Sequence, residues 1–149
     1  MEDRYLFRAK RVDNGEWVQG NLVYSEDSED GWETLIIPTR ESNMFTKGGS
    51  KGNLGFENWY RVDQDTICQC TGLKDKNGKL IWENDIMVAH LDEDYPEDET
   101  YIRILWHGSG FCSKEKGSRD MSPIDKFDQE FFEVRGNIFD NPELLESEG

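Results

Sequence analysis

Apolar residues along this chain recur in short bursts with a spacing of two, separated by turn chemistry, and no long segment repeats with the 3.6-residue period of a helix. Residues 1–24 predict a β-hairpin. Tyr5, Phe7 and Ala9 alternate with Leu6, Arg8 and Lys10, Asp13-Asn14-Gly15 supplies the turn, and Trp17 to Tyr24 form the return strand. Gly20 inside that strand points to a bulge or a close backbone approach. Further strands are predicted over Thr34–Ile37 (ended by Pro38), Trp59–Val62, Thr66–Thr71, Leu80–Trp82, Ile86–His90, Tyr101–Trp106, Phe111–Ser113 and Phe131–Ile138. Asn77-Gly78 marks a second hairpin turn, and Gly108-Ser109-Gly110 a third. Near the end, Asn141-Pro142-Glu143 has the chemistry of a helix start, followed by Leu144 and Leu145.

Between these strands lie polar stretches predicted as mobile loops, near 25–33, 39–57, 91–99 and 114–126. Many short strands with turn signals argue for a mostly β fold. We expect antiparallel hairpins curling into a small SH3-like or related barrel, with a short C-terminal helix, in a single domain over 1–149.

Composition supports a packed core. Hydrophobic residues are only 35% of the 149, but five Trp and eight Phe supply large buried area. The first residues, MEDRYLFRAKRV, carry charges throughout, and no targeting segment or membrane span is predicted. Cys68, Cys70 and Cys112 make an odd count, which does not suit a disulfide scaffold. Cys68 and Cys70, two apart in a strand, should share a face as reduced thiols.

The net charge of −15, from 17 basic and 32 acidic side chains, argues against ordinary duplex binding and against attachment to anionic lipid. It permits solubility through self-repulsion or attraction to a basic partner. Asp92, Glu93, Asp94, Glu97, Asp98 and Glu99 form the densest acidic cluster, without the spacing of an EF-hand loop. Trp32 and Trp59 flank the polar middle region, where exposed aromatics can anchor an interface. These eight residues are the candidate partner-binding positions. Gly48-Gly49-Ser50-Lys51 lacks the spacing of a phosphate-binding loop. His90 and His107 belong to no recognisable catalytic constellation, so no catalytic residue, metal site or cofactor is predicted.

Several segments taken in order resemble one family. Phe7-Arg8-Ala9-Lys10 with Trp17-Val18-Gln19-Gly20 resembles the opening hairpin of YopX-like proteins. Thr71-Gly72-Leu73 with Asp75-Lys76-Asn77-Gly78 resembles their central stretch, and Ile81-Trp82-Glu83-Asn84-Asp85-Ile86 the segment that follows. Glu133-Val134-Arg135-Gly136-Asn137-Ile138 with Asn141-Pro142-Glu143-Leu144-Leu145 resembles the closing segment. The resemblance implies a phage or prophage origin, a β-rich fold and an oligomer as one option, and it brings no functional residues to carry over. Two departures matter. Asn84 stands where Gly is usual, and Asn tolerates a positive-φ turn best among non-Gly residues. Arg135 stands where an apolar residue is usual, which argues against its full burial. Asp85 is expected to accept backbone N–H bonds across its turn.

The function expected is that of a non-enzymatic accessory protein in the bacterial host cytoplasm, binding another protein that has a basic surface. A DNA-mimicking inhibitor of a host nucleic-acid enzyme and a subunit of an oligomeric assembly are the alternatives.

Overall fold

The computed structural model describes the backbone of residues 2–28, 31–39, 44–47 and 53–146. The chain divides into two compact units, Met1–Gln69 and Cys70–Gly149. It is mostly β, with two antiparallel sheets, a separate hairpin and one short α-helix among the described residues.

In the first unit, β1 (Phe7–Lys10) pairs with β2 (Trp17–Ser28), which pairs with β3 (Gly31–Pro38). The predicted turn is present. Arg11 N–H donates to the Glu16 carbonyl at 2.8 Å, the Asn14 side chain accepts the Glu16 N–H at 2.9 Å, and Gly15 takes φ +72°. The register sets Ala9 opposite Val18 and Leu22 opposite Ile36. Ala9, Ile36 and Val62 form the core of this unit, with Phe7, Val18, Leu22 and Ile67 packed on it. Of residues 25–33, predicted as a loop, the described ones instead extend β2 to Ser28 and begin β3 at Gly31, with Ser25 opposite Glu33. Backbone pairing carries these strands past the point where apolar alternation stops.

Gly20 confirms the close approach predicted for it. It lies between Phe7 of β1 and Pro38 of β3, and a Cβ built there would stand 2.1 Å from the Ile37 carbonyl oxygen. β4 (Met44–Lys47) and β5 (Asn53–Phe56) pair as a hairpin within the predicted loop 39–57. Gly48-Gly49-Ser50-Lys51, which the chain carries between these two strands, lie outside the described residues. β6 (Tyr60–Arg61) closes the edge against β3.

β7 (Cys68–Lys74) begins in the first unit beside β1 and runs into the second, where Cys70 and Lys74 pair with β8 (Leu80–Trp82). The six-stranded order is therefore β6-β3-β2-β1-β7-β8. Between β7 and β8 the Asn77-Gly78 turn is gathered by Asp75. Its buried carboxylate accepts the N–H groups of Asn77 and Lys79 on Oδ1, both at 2.9 Å, and that of Val134 on Oδ2 at 2.8 Å.

The second unit holds a five-stranded sheet in the order β12-β11-β10-β9-β13. Its strands are β9 (Asp85–Ala89), β10 (Thr100–His107), β11 (Gly110–Glu115), β12 (Met121–Pro123) and β13 (Glu133–Asn137). Ile81, Met87, Ala89, Ile102, Ile104 and Phe132 form its core. The turn before β9 behaves as expected. Asn84 takes φ +70°, the only non-Gly positive φ among the described residues, and buried Asp85 accepts the Trp82 N–H at 2.8 Å. Arg135 lies at an irregularity in β13 and is exposed, paired with Glu99 at 3.3 Å and Glu133 at 3.4 Å.

Two expectations are corrected. Among the described residues neither sheet closes into a barrel. The two-residue β6 and the Pro123-bearing β12 are edge strands, and Pro123 has no N–H to extend a ladder. The predicted C-terminal helix is a single 3-10 turn over Pro142–Leu145, because the Asn141 side chain reaches back to the Asn137 N–H instead of capping forward. The α-helix, α1 (Lys126–Phe131), lies earlier; it starts at the last residue of the predicted loop 114–126, which itself contains β12, and takes in Phe131, so the strand predicted from Phe131 begins at Glu133. No helix among the described residues is long and apolar enough to cross a membrane.

Candidate functional site

The acidic run 91–99 is exposed throughout and connects β9 to β10. Two of its carboxylates shape the loop. Asp92 Oδ1 accepts the N–H groups of Asp94 at 2.9 Å and Tyr95 at 3.2 Å. Glu99 accepts the Tyr101 hydroxyl at 3.0 Å and pairs with Arg135, and His90 Nε2 lies 3.7 Å away. The other ring nitrogen of His90 stands 2.8 Å from the Pro96 carbonyl, so this histidine meets the second half of the segment at two points. Glu93, Asp94, Glu97 and Asp98 make no ion pair among the described residues and face solvent, which leaves their charge available to a partner.

At the foot of this run an open cleft of about 380 Å³ lies within the second unit. Leu91 and Thr100, the residues that bound the acidic run, line it. β10 and β11 contribute Ile102, Ser113 and Glu115, and the connection through β12 contributes Ser118, Asp120, Met121 and Ser122. The remaining wall is Phe127, Asp128 and Phe132. The lining thus combines an apolar surface with hydroxyls and three carboxylates.

Asp128 is held there by reciprocal capping at the start of α1. Its N–H donates to Asp125 Oδ1 at 2.9 Å, while its own Oδ2 accepts the Asp125 N–H at 3.2 Å. The Ser113 hydroxyl also donates to Oδ2, at 3.4 Å. Asp128 is 9% exposed, and burial pushes its carboxyl above the usual carboxylate range, helped by the charge of Asp125 and opposed by the Asp125 N–H and the Ser113 hydroxyl. A carboxyl raised on folding stabilises the fold most below its unfolded value of about 3.9, and that contribution is lost as pH rises through the folded value. Asp128→Asn should therefore gain thermal stability relative to the parent as pH is raised from about 3.5 to neutrality. Parallel melting curves at the two pH values measure this, and a difference that stays constant would show that burial does not set the Asp128 proton.

Trp59 is 54% exposed and belongs to the first unit, whereas the acidic run belongs to the second. Trp32 lies on β3, and its side chain is outside the described residues. His90, His107 and Cys112 do not line the cleft. No group of three His, Cys, Asp or Glu placed to hold a metal occurs among the described residues. The sequence reading missed Asp128, Ser113, Met121 and Phe127. The signal available was Asp125 three residues before Asp128, a capping pair that marks a helix start.

A family model described as YopX protein matches residues 6–146. Among solved structures, the chain is similar to the crystal structure of protein EF1440 from Enterococcus faecalis, with 27% identity and a TM-score of 0.60 over 94% of this chain and 96% of that one. No curated protein matches it. With 141 consecutive positions from the opening hairpin to the last turn accounted for by one family model, the chain belongs to the YopX protein family.

Proposed function

We propose that this chain is a non-enzymatic accessory protein of a phage or prophage that binds a protein partner with a basic surface. The observation that supports this is the cleft at the foot of the acidic run, where Glu115, Asp120 and Asp128 adjoin an apolar wall. Glu93, Asp94, Glu97 and Asp98 steer a basic surface toward it at long range. Steering of this kind is screened by salt. In affinity capture from a bacterial lysate, a defined partner should be retained at low salt and lost at high salt. It should also be lost from the variant carrying Glu93→Gln, Asp94→Asn, Glu97→Gln and Asp98→Asn. A partner held equally at both salt levels and by that variant would refute the reading.

Self-assembly is the second reading, favoured by α1. Its Phe127 and Phe131 are 47% and 48% exposed, with ring centroids 4.6 Å apart. Two adjacent rings left in water are a natural contact for a second copy.

A further inference from the structure

We propose that the cleft of the second unit is a pocket for one basic side chain of the partner, a lysine or arginine, and that Asp128 receives its charge; this rests on the reading of the chain as a binder of basic protein. The first argument is the carboxylate itself. Asp128 Oδ2 is fully engaged by the Asp125 N–H and the Ser113 hydroxyl, while Oδ1 accepts no hydrogen bond among the described residues. Oδ1 is not among the buried atoms left without a partner, so it is reached from the open cleft that Asp128 lines and is free to meet a cation there.

The second argument is the company Asp128 keeps. Met121, Phe127 and Phe132 line the same space, and the aliphatic stem of a lysine or arginine covers such surface while its head reaches a carboxylate. Glu115 and Asp120 on the lining oppose any anionic ligand and add to the attraction for a cation. At about 380 Å³ the cleft falls within the range of ligand pockets, about 300 to 1,000 Å³, and has room for a lysine or arginine side chain. A bare metal ion fits less well, since no three metal-ligating side chains converge among the described residues.

The test is a titration of the intact chain, followed by heteronuclear NMR, with N-acetyl-lysine methylamide, its arginine counterpart and the uncharged isostere N-acetyl-norleucine methylamide. A charged probe should shift the amides of Ser113, Asp128 and Phe132 saturably, and the norleucine probe should bind at least about tenfold more weakly. Asp128→Asn retains an oxygen for the cap and should weaken the charged probe by about tenfold or more. Phe127→Ala, at an exposed position, should weaken charged and uncharged probes alike. Equal binding of lysine and norleucine probes, an unaltered affinity in Asp128→Asn, or no saturable shift at any soluble concentration would overturn the pocket. If the lysate partner is still lost at high salt and from the four-residue variant, the proposed function survives that failure. If the partner binding is also indifferent to charge, both fall.

Discussion

Asp75→Asn should lower the stability of the second unit by about 2–4 kcal/mol, although the two side chains have nearly the same shape. The carboxylate serves three backbone donors from two segments. Oδ1 takes the N–H groups of Asn77 and Lys79, and Oδ2 takes that of Val134, far away in sequence. An amide offers only one accepting oxygen. Whichever way it turns, its NH₂ group faces at least one N–H donor, and that donor loses its partner. Each buried donor left unmade costs about 1–3 kcal/mol, and bonds to a charged acceptor are the stronger kind. The turn is pinned by the backbone too, through Asp75 N–H to the Lys79 carbonyl at 2.8 Å and Lys76 N–H to the Phe132 carbonyl at 3.1 Å. The substitution should therefore loosen the attachment of the turn to β13 while the turn itself persists. Denaturant unfolding gives the loss, and amide exchange should rise at Val134 before it rises in β10. A variant as stable as the parent would mean that Asp75 only fills space.

Gly20→Ala should be at least as damaging in the first unit, at about 3 kcal/mol or more. The added methyl would stand 2.1 Å from the Ile37 carbonyl oxygen and 2.8 Å from both the Ile37 carbonyl carbon and the Pro38 Cα. All three are backbone atoms, so no side chain can swing aside, and relief requires β2 and β3 to part. Gly20 also faces Phe7 on its other side, which limits movement of β2 toward β1. The melting temperature of a chain this size should fall by roughly 6–12 °C if 3 kcal/mol is lost. Gly15→Ala is the useful contrast, because nothing lies within 4 Å of a methyl there and only its φ of +72° is penalised, by about 1–2 kcal/mol. If the two variants melt together, close strand approach at Gly20 is not what constrains it.

The parts of the fold legible in the sequence are those with a local cause. Asn14-Gly15 and Asn77-Gly78 announce their turns because few residues tolerate positive φ, and Asn84 takes φ +70° before β9 as one of those few. Asp85 reads correctly because its partner, the Trp82 N–H, is only three residues away. The extension of β2 and β3 through Ser25 and Glu33 was hidden, since polar strands carry no apolar alternation and their pairing is a backbone property. α1 was hidden by its six-residue length, too short for a helical period to show. Of the candidate site, the exposed charge of the acidic run was legible from composition. The cleft was not, because Leu91, Ser113, Met121 and Asp128 come from four separate elements and nothing local links them.

The three cysteines give the chain a built-in record of its own breathing. Cys68, Cys70 and Cys112 are buried and form no disulfide. The Cys68 thiol donates to the Thr66 carbonyl at 3.3 Å. A thiol reagent reacts with the thiolate at an accessible sulfur, so modification must wait for each strand to open. Cys68 belongs to the first unit, and Cys70 and Cys112 to the second. Because Cys68 and Cys70 share β7, alkylation followed peptide by peptide clocks the opening of that strand and, through Cys112, the opening of β11, with no residue changed.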